Sequence, residues 1–215
     1  MGSIVASTII DKAAFVLTDT ANTRWTRAEL LLWISEAQRQ IISIKPDASN
    51  TITTVNLVQG SRQPLPTDGW QLLKVVKNMI GTAAGKVIRP TTRDQLDTMD
   101  SNWHATTQTK TVTNYIYESM DQTSFYVYPP NDGTGQAEIN YSKIYGNLAN
   151  ENATINVLDI YEPAIVNYVL YRAFSKDAEF GPASAEAQAY LNAFLSGVKA
   201  QEAVEYVYNP TPDKP

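Results

Sequence analysis

The sequence predicts an α+β fold: four main helices, two N-terminal and two C-terminal, form a helical bundle, with a central, mainly antiparallel β-sheet domain inserted between them. Three observations carry this expectation. Apolar residues recur every three or four positions between Ile4 and Ile44 and again between Ile160 and Val198, the spacing of one helical face. Between Thr51 and Ser142 the pattern shifts to period two, with β-branched and aromatic residues between turn-forming clusters. From Ala164 to Phe174 only Asn167 and Arg172 are strongly polar, so one helix is apolar nearly all round and needs cover on nearly every side.

Taken in order, Ser3 to Leu17 places Ile4, Ala6, Ile9, Ile10, Ala13, Ala14 and Leu17 on a first helix. Residues that bond their own backbone, Thr18 to Thr23, interrupt it. Thr26 and Glu29 have capping-box spacing, the hydroxyl accepting from an orphan N–H while the glutamate reaches back to the cap. The helix they open carries Leu30, Trp33, Ile34, Ala37, Ile41 and Ile44, and Pro46 ends it. Thr51 to Val58 reads as a strand, Gln59-Gly60 as a turn, and Leu72–Ile80 with Lys86–Arg89 as a hairpin around Gly81 and Gly85. Thr92 to Met99 is a short helix with a second capping box from Thr92 to Gln95. Thr113–Glu118 and Ser124–Tyr128 form a hairpin, Pro129 to Gly135 a turn, and Gln136 to Ser142 a last strand. These add up to one antiparallel sheet of about five or six strands. Asp159 or Glu162 is placed to cap the next helix, with Pro163 tolerated in its first turn. Gly181 is placed as its left-handed C-cap, with Pro182 barring continuation. A final helix sets Tyr190, Leu191, Phe194, Leu195 and Val198 opposite Glu186, Asn192, Ser196 and Lys199. The domain boundaries that follow are 1–50 with 156–203 for the helices, 51–155 for the β-rich insert, and 204–215 for an extended Pro/Tyr tail.

With 215 residues, 43% hydrophobic and 18% charged, the chain can bury a core but is poor in charge. A net charge of −5 argues against a nucleic-acid binder that grips phosphates, though not against a channel through which DNA slides. The absence of cysteine excludes disulfides, thiolate metal sites and cysteine nucleophiles. The N-terminus has no basic region before Asp11 and Lys12, and no run reaches the ~18 apolar residues of a membrane span, so an aqueous location is expected.

Catalytic motifs are hard to find. His104 is the only histidine, and Asp97, Asp100 and His104 have the spacing of one helical face, which could ligate a metal. The structural reading is preferred because Asn102 and Trp103 fall past the end of so short a helix. No Gly-x-Ser-x-Gly surrounds a serine, and Gly85-Lys86-Val87 lacks the hydroxyl of a phosphate loop. Asn131-Asp132-Gly133 lacks the remaining ligands of a calcium loop and reads as a turn. Tyr115, Tyr117, Phe125, Tyr126 and Tyr128 could stack on single-stranded nucleic acid, but without a basic surround they read as cross-strand packing.

Several stretches together resemble a known family. They are Thr23-Arg-Trp-Thr-Arg-Ala-Glu-Leu-Leu, Trp33, Glu36-Ala-Gln38, Pro46-Asp-Ala48, Arg93 with Leu96-Asp97, Trp103-His104, Phe125-Tyr-Val-Tyr-Pro-Pro130 and Tyr168-Val-Leu-Tyr-Arg-Ala-Phe-Ser-Lys-Asp-Ala-Glu179. They resemble the head-to-tail adaptor (connector) proteins of tailed bacteriophages, including the tail tubular protein A or gatekeeper adaptors, over residues 20 to 200. The resemblance implies a non-enzymatic virion protein at the head–tail interface, present in host cytoplasm during assembly, with no catalytic residue, cofactor, metal or membrane partner. It implies a ring of identical subunits, expected to be a dodecamer, docked on the portal protein and meeting a tail or nozzle protein. Double-stranded DNA would pass through the lumen with only transient contact. Tyr168, Tyr171, Arg172 and Lys176 on the apolar helix, with Tyr206 and Tyr208 in the tail, are the candidate contacts to a neighbouring subunit or the portal. Another tail structural protein, such as a stopper or completion factor, and a carboxylate-based hydrolase are the alternative classes.

Overall fold

The computed structural model describes residues 2–118, 120–176 and 181–208, with side chains in the last segment described over 185–200. In chain order these residues form α1 (Ala6–Val16), α2 (Arg27–Ile44), β1 (Asn50–Asn56), β2 (Gly60–Pro64), β3 (Gly69–Ile80), β4 (Ala83–Val87) and β5 (Arg89–Pro90). They continue with α3 (Arg93–Met99), β6 (Asn114–Ile116), β7 (Ser124–Asn131), β8 (Gln136–Lys143), α4 (Glu162–Lys176) and α5 (Gly181–Tyr208). The α+β class is thus present as five helices and two four-stranded sheets among the described residues. The chain divides into two compact units, one from residues 1–48 and 145–215 and the other from residues 49–144.

In the first unit, α1 buries Ala6, Ile9, Ile10, Ala13, Ala14 and Leu17, as the spacing predicts. Its N-terminus has no side-chain cap. The orphan amides of Ala6 and Ser7 donate instead to the carbonyls of Ala153 and Glu151 at 2.9 and 2.8 Å. Residues 145–155, expected within the β-rich insert, fall in the same compact unit as the helices. Further along, Ser35 Oγ on α2 accepts from the Leu148 amide at 3.0 Å.

Only half of the expected capping box on α2 forms. Thr26 Oγ1 accepts from the Glu29 amide at 3.3 Å, but the Glu29 carboxylate is bound by Lys176 of α4. A carboxylate gains more from an ammonium than from one solvent-exposed amide, which explains the departure. Asp159 likewise does not cap α4. It lies in a 3₁₀ turn, Asp159–Tyr161, and accepts from Ser3 N at 2.7 Å, Ser3 Oγ at 2.6 Å and Ile4 N at 3.2 Å. These bonds hold its carboxyl below the usual range.

Gly181 and Pro182 open α5 rather than closing α4, whose described part ends at Lys176; the Asp177–Phe180 end of the signature lies outside the described residues. A proline fits the first turn because its missing N–H would have had no intrahelical partner there. The expected extended tail from Val204 is also corrected. The backbone stays helical through Tyr208, since Ala, Glu and Gln between Ala200 and Glu205 sustain a helix until Pro210 forbids it. The side chains of Tyr206 and Tyr208, and residues 209–215, lie outside the described residues.

From Ala164 to Ser175 of α4 no residue is exposed. The helix packs against α5, α2 and α1, so one chain supplies most of the cover its apolar surface needs. The predicted stripe on α5 is in place, with Phe194 and Val198 buried and Glu186, Asn192, Ser196 and Lys199 exposed.

The second unit holds two sheets where the sequence suggested one. Their orders are β1-β8-β3-β4 and β2-β7-β6-β5, antiparallel except for β5 against β6. Leu72, Val75, Ile139 and Tyr141 of the first sheet and Tyr115, Phe125 and Val127 of the second join a single apolar cluster. Two sheets that each bury one face in this way explain the period-two pattern better than one wide sheet. The β3–β4 hairpin turns at Gly81, whose φ of +62° suits glycine. Strand β7 runs through Pro129 and Pro130 to Asn131, so the turn expected from Pro129 begins only at Asp132.

Candidate functional site

The residues that the sequence offers as metal ligands make contacts within the fold. His104 sits in the 3₁₀ turn Trp103–Ala105 that follows α3, with its ring stacked on Trp103 at a centroid distance of 3.6 Å. Its Nδ1 lies 2.8 Å from Ser61 Oγ. Asp97 Oδ1 accepts from the indole N–H of the fully buried Trp103 at 2.7 Å, and Asp100 Oδ1 accepts from the Asn102 amide at 2.9 Å. Because α3 ends at Met99, the helical face that would bring Asp97, Asp100 and His104 together is never completed. Among the described residues, no three His, Asp or Glu side chains gather as a metal site requires.

The tyrosine-rich strands divide their rings between two cores. Tyr115 and Phe125 lie in the cluster between the sheets with Tyr117 packed against it, while Tyr126 and Tyr128 pack on the cluster of Leu96, Trp103 and Ile116. The Arg93 guanidinium lies 4.9 Å from the Tyr126 ring centroid and pairs with Glu118 at 2.5 Å, so Tyr126 is already faced by a cation. Strand alternation sends neighbouring rings to opposite sides, so they do not form one stacking surface. Asn131 Oδ1 accepts from the Gly133 and Gly135 amides, and Asp132 Oδ1 from Thr134, which makes the Asn-Asp-Gly stretch a self-bonded turn.

Surface chemistry concentrates instead around α4 and α1. Tyr168 is buried, edge-on to Phe194 at 5.2 Å and to Tyr171 at 5.7 Å. Burial pushes its phenol up, against a smaller opposing pull from Arg172. Arg172 Nη1 donates to Glu36 Oε2 at 2.7 Å, with its guanidinium 6.0 Å from the Trp33 ring centroid. Lys176 Nζ donates to both Glu29 oxygens at 2.9 Å. The four α4 candidates thus line one side of the helix and each already has a partner within the chain. Tyr171, Arg172 and Lys176 keep part of their surface open, and Tyr168 does not.

Sequence reasoning missed the apolar surface that α1 leaves uncovered. Phe15 and Val16 are 77% and 46% exposed. With Thr8, Asp11, Lys12 and Val166 they line an open groove beside α4. Two charged contacts frame it: Lys12 with Glu162, and Arg27 with both Asp11 and Glu151 at 2.8 and 2.7 Å. Those carboxylates raise the Arg27 pKa further and fix its side chain beside the groove. The available signal was positional. Phe15 falls off the Ala6–Ile9–Ile10–Ala13–Leu17 stripe, on the face where polar residues belong, with Val16 at the edge of the stripe beside it. A large aromatic residue on that face, extended by Val16, marks a contact surface more than a core.

No curated protein matches the chain. The family model described as SU10 adaptor protein matches residues 6–212, spanning both compact units and every surface described above. The chain therefore belongs to the SU10 adaptor protein family, structural head-to-tail adaptors of tailed phages.

Proposed function

We propose that this chain is the subunit of a ring that docks on the portal, joins head to tail and gives DNA a conduit. The observation that carries the reading is the family match along residues 6–212, which leaves neither unit unaccounted for. The helical unit forms the ring body, with the Phe15–Val16 surface and the partly open Tyr171, Arg172 and Lys176 as lateral contacts, and the β-rich unit reaches toward the tail. A ring needs two different complementary surfaces on each subunit, and an uncovered apolar face on α1 supplies one of them.

Charge distribution supports the conduit. Residues 49–144 hold eight Lys and Arg against eight Asp and Glu, so the whole −5 excess falls on the helical unit. Acidic walls repel the DNA backbone and let it slide.

The test is to mix purified protein with its portal and look for a co-migrating ring by electron microscopy. Persistent failure to associate with either portal or tail overturns the reading. Removing residues 204–215, with Tyr206 and Tyr208, is expected to leave the fold intact and weaken portal docking; unchanged docking assigns the tail no part in it.

A further inference from the structure

Four strands lie at sheet edges in the β-rich unit, and three carry devices that discourage further pairing. Strand β2 ends in Pro64, contains Arg62 and has a register shift between Gly60 and Arg62. Strand β5 is two residues long and ends in Pro90. Strand β4 holds Gly85 and Lys86, and its register against β3 shifts between Lys77 and Met79. Strand β1 has none of these features. Its seven residues, Asn-Thr-Ile-Thr-Thr-Val-Asn, contain no glycine, proline or charge, and they pair with β8 in unbroken register from Asn50 to Asn56. Among the described residues no strand but β8 pairs with it. Its outer face stays exposed, Ile52 at 64%.

By residue class β1 is symmetric about Thr53, with Asn at both ends and five β-branched residues between them. Antiparallel pairing of two copies centred on Thr53 sets Asn50 against Asn56, Thr51 against Val55, Ile52 against Thr54, and Thr53 against itself. Each pair joins residues of the same face, so the exposed and half-buried faces both continue across the junction. Every opposed pair is uncharged, and Thr–Thr and β-branched pairs favour cross-strand contact. We propose that the free chain closes this edge by pairing β1 with β1 of a second copy, forming a two-fold dimer with one continuous eight-stranded sheet. Such an isologous contact is distinct from the head-to-tail contacts of a ring and stands on the fold of the β-rich unit alone.

The test uses the full chain in solution. Replacing Ile52→Lys together with Thr54→Lys places like charges opposite each other twice, on exposed positions. Analytical ultracentrifugation is expected to show the mass falling from twice to once the 23.8 kDa of one chain. Mixing that variant with the Ile52→Glu, Thr54→Glu variant is expected to restore the doubled mass, which misfolded protein could not do. Because the chain has no cysteine, Thr53→Cys gives an independent readout. Oxidation is expected to yield a covalent dimer at Thr53→Cys and little at Thr51→Cys, whose side chain faces Val55. A wild-type monomer at all concentrations, an assembly of any size that the lysine pair leaves unchanged, or equal cross-linking at the two positions overturns the proposal.

Discussion

Lys176 Nζ holds both carboxylate oxygens of Glu29 at 2.9 Å, so the residue spaced to close the cap of α2 instead ties α2 to the last described turn of α4. The cap survives through Thr26 alone. The two contributions separate by mutation. Lys176→Met is expected to cost under about 1 kcal/mol, because the pair is partly solvated, and the loss should shrink in high salt. Thr26→Ala is expected to cost about 1 kcal/mol with little salt dependence. Urea denaturation at two ionic strengths measures both.

Asn78 is a buried polar link that ties β3 to β4 and to the segment leading into β6. From β3 its Nδ2 donates to the carbonyls of Lys86 and Val112 at 3.0 and 2.8 Å, and its Oδ1 accepts from the Val112 amide at 2.9 Å. Asn78→Leu is expected to leave the Val112 backbone groups unpaired, at about 1–3 kcal/mol for each buried group. A denaturation midpoint equal to wild type would show that water replaces the amide.

Asp19 accepts from the Trp25 and Arg24 amides and from both Thr23 donors, at 2.8 to 3.0 Å. Led by the Trp25 amide, these bonds hold its carboxyl at about 2, below the ordinary 3.8. A depressed folded pKa gives stability that is present above the unfolded value and is lost as pH falls toward the folded one. Asp19→Asn is therefore expected to flatten the acid limb of the stability curve between 3.8 and about 2, leaving its slope at neutral pH unchanged. Carboxyl NMR titration checks the pKa directly.

Phe15 stands uncovered on α1, on the side away from the buried Ile9, Ile10, Ala13 and Ala14. Under the proposed lateral contact, Phe15→Asp should shift monomer stability by no more than about 0.5 kcal/mol, as an exposed substitution does, and yet prevent ring assembly. Rings that form normally from this variant would remove α1 from the interface.

Elements whose own side chains carry the pattern were legible in the sequence. The α1, α2 and α5 stripes, the Thr92–Gln95 capping box and the β6–β7 hairpin all follow from local spacing. Strands β2 and β5 were not legible, because Gly-Ser-Arg-Gln-Pro and Arg-Pro carry no alternation and become strands only through the partners they meet. The same holds for Glu29 and Asp159, where a long-range donor outcompetes the local cap. The candidate surface was half legible. The apolar helix was visible as a run, but which of its residues stay open depends on where α5, α2 and α1 lie.

The helical unit draws on chain from both sides of residues 49–144. On a ribosome adding about 5–20 residues per second, α1 and α2 emerge first and wait roughly 7–26 s before α4 is made. Through that interval Ile9, Ile10, Ile34 and Ile41 have no α4 to cover them, while the β-rich unit gains its last strand before α4 begins. The order of completion therefore departs from the order of synthesis: the middle of the chain can close first, and its two ends close last.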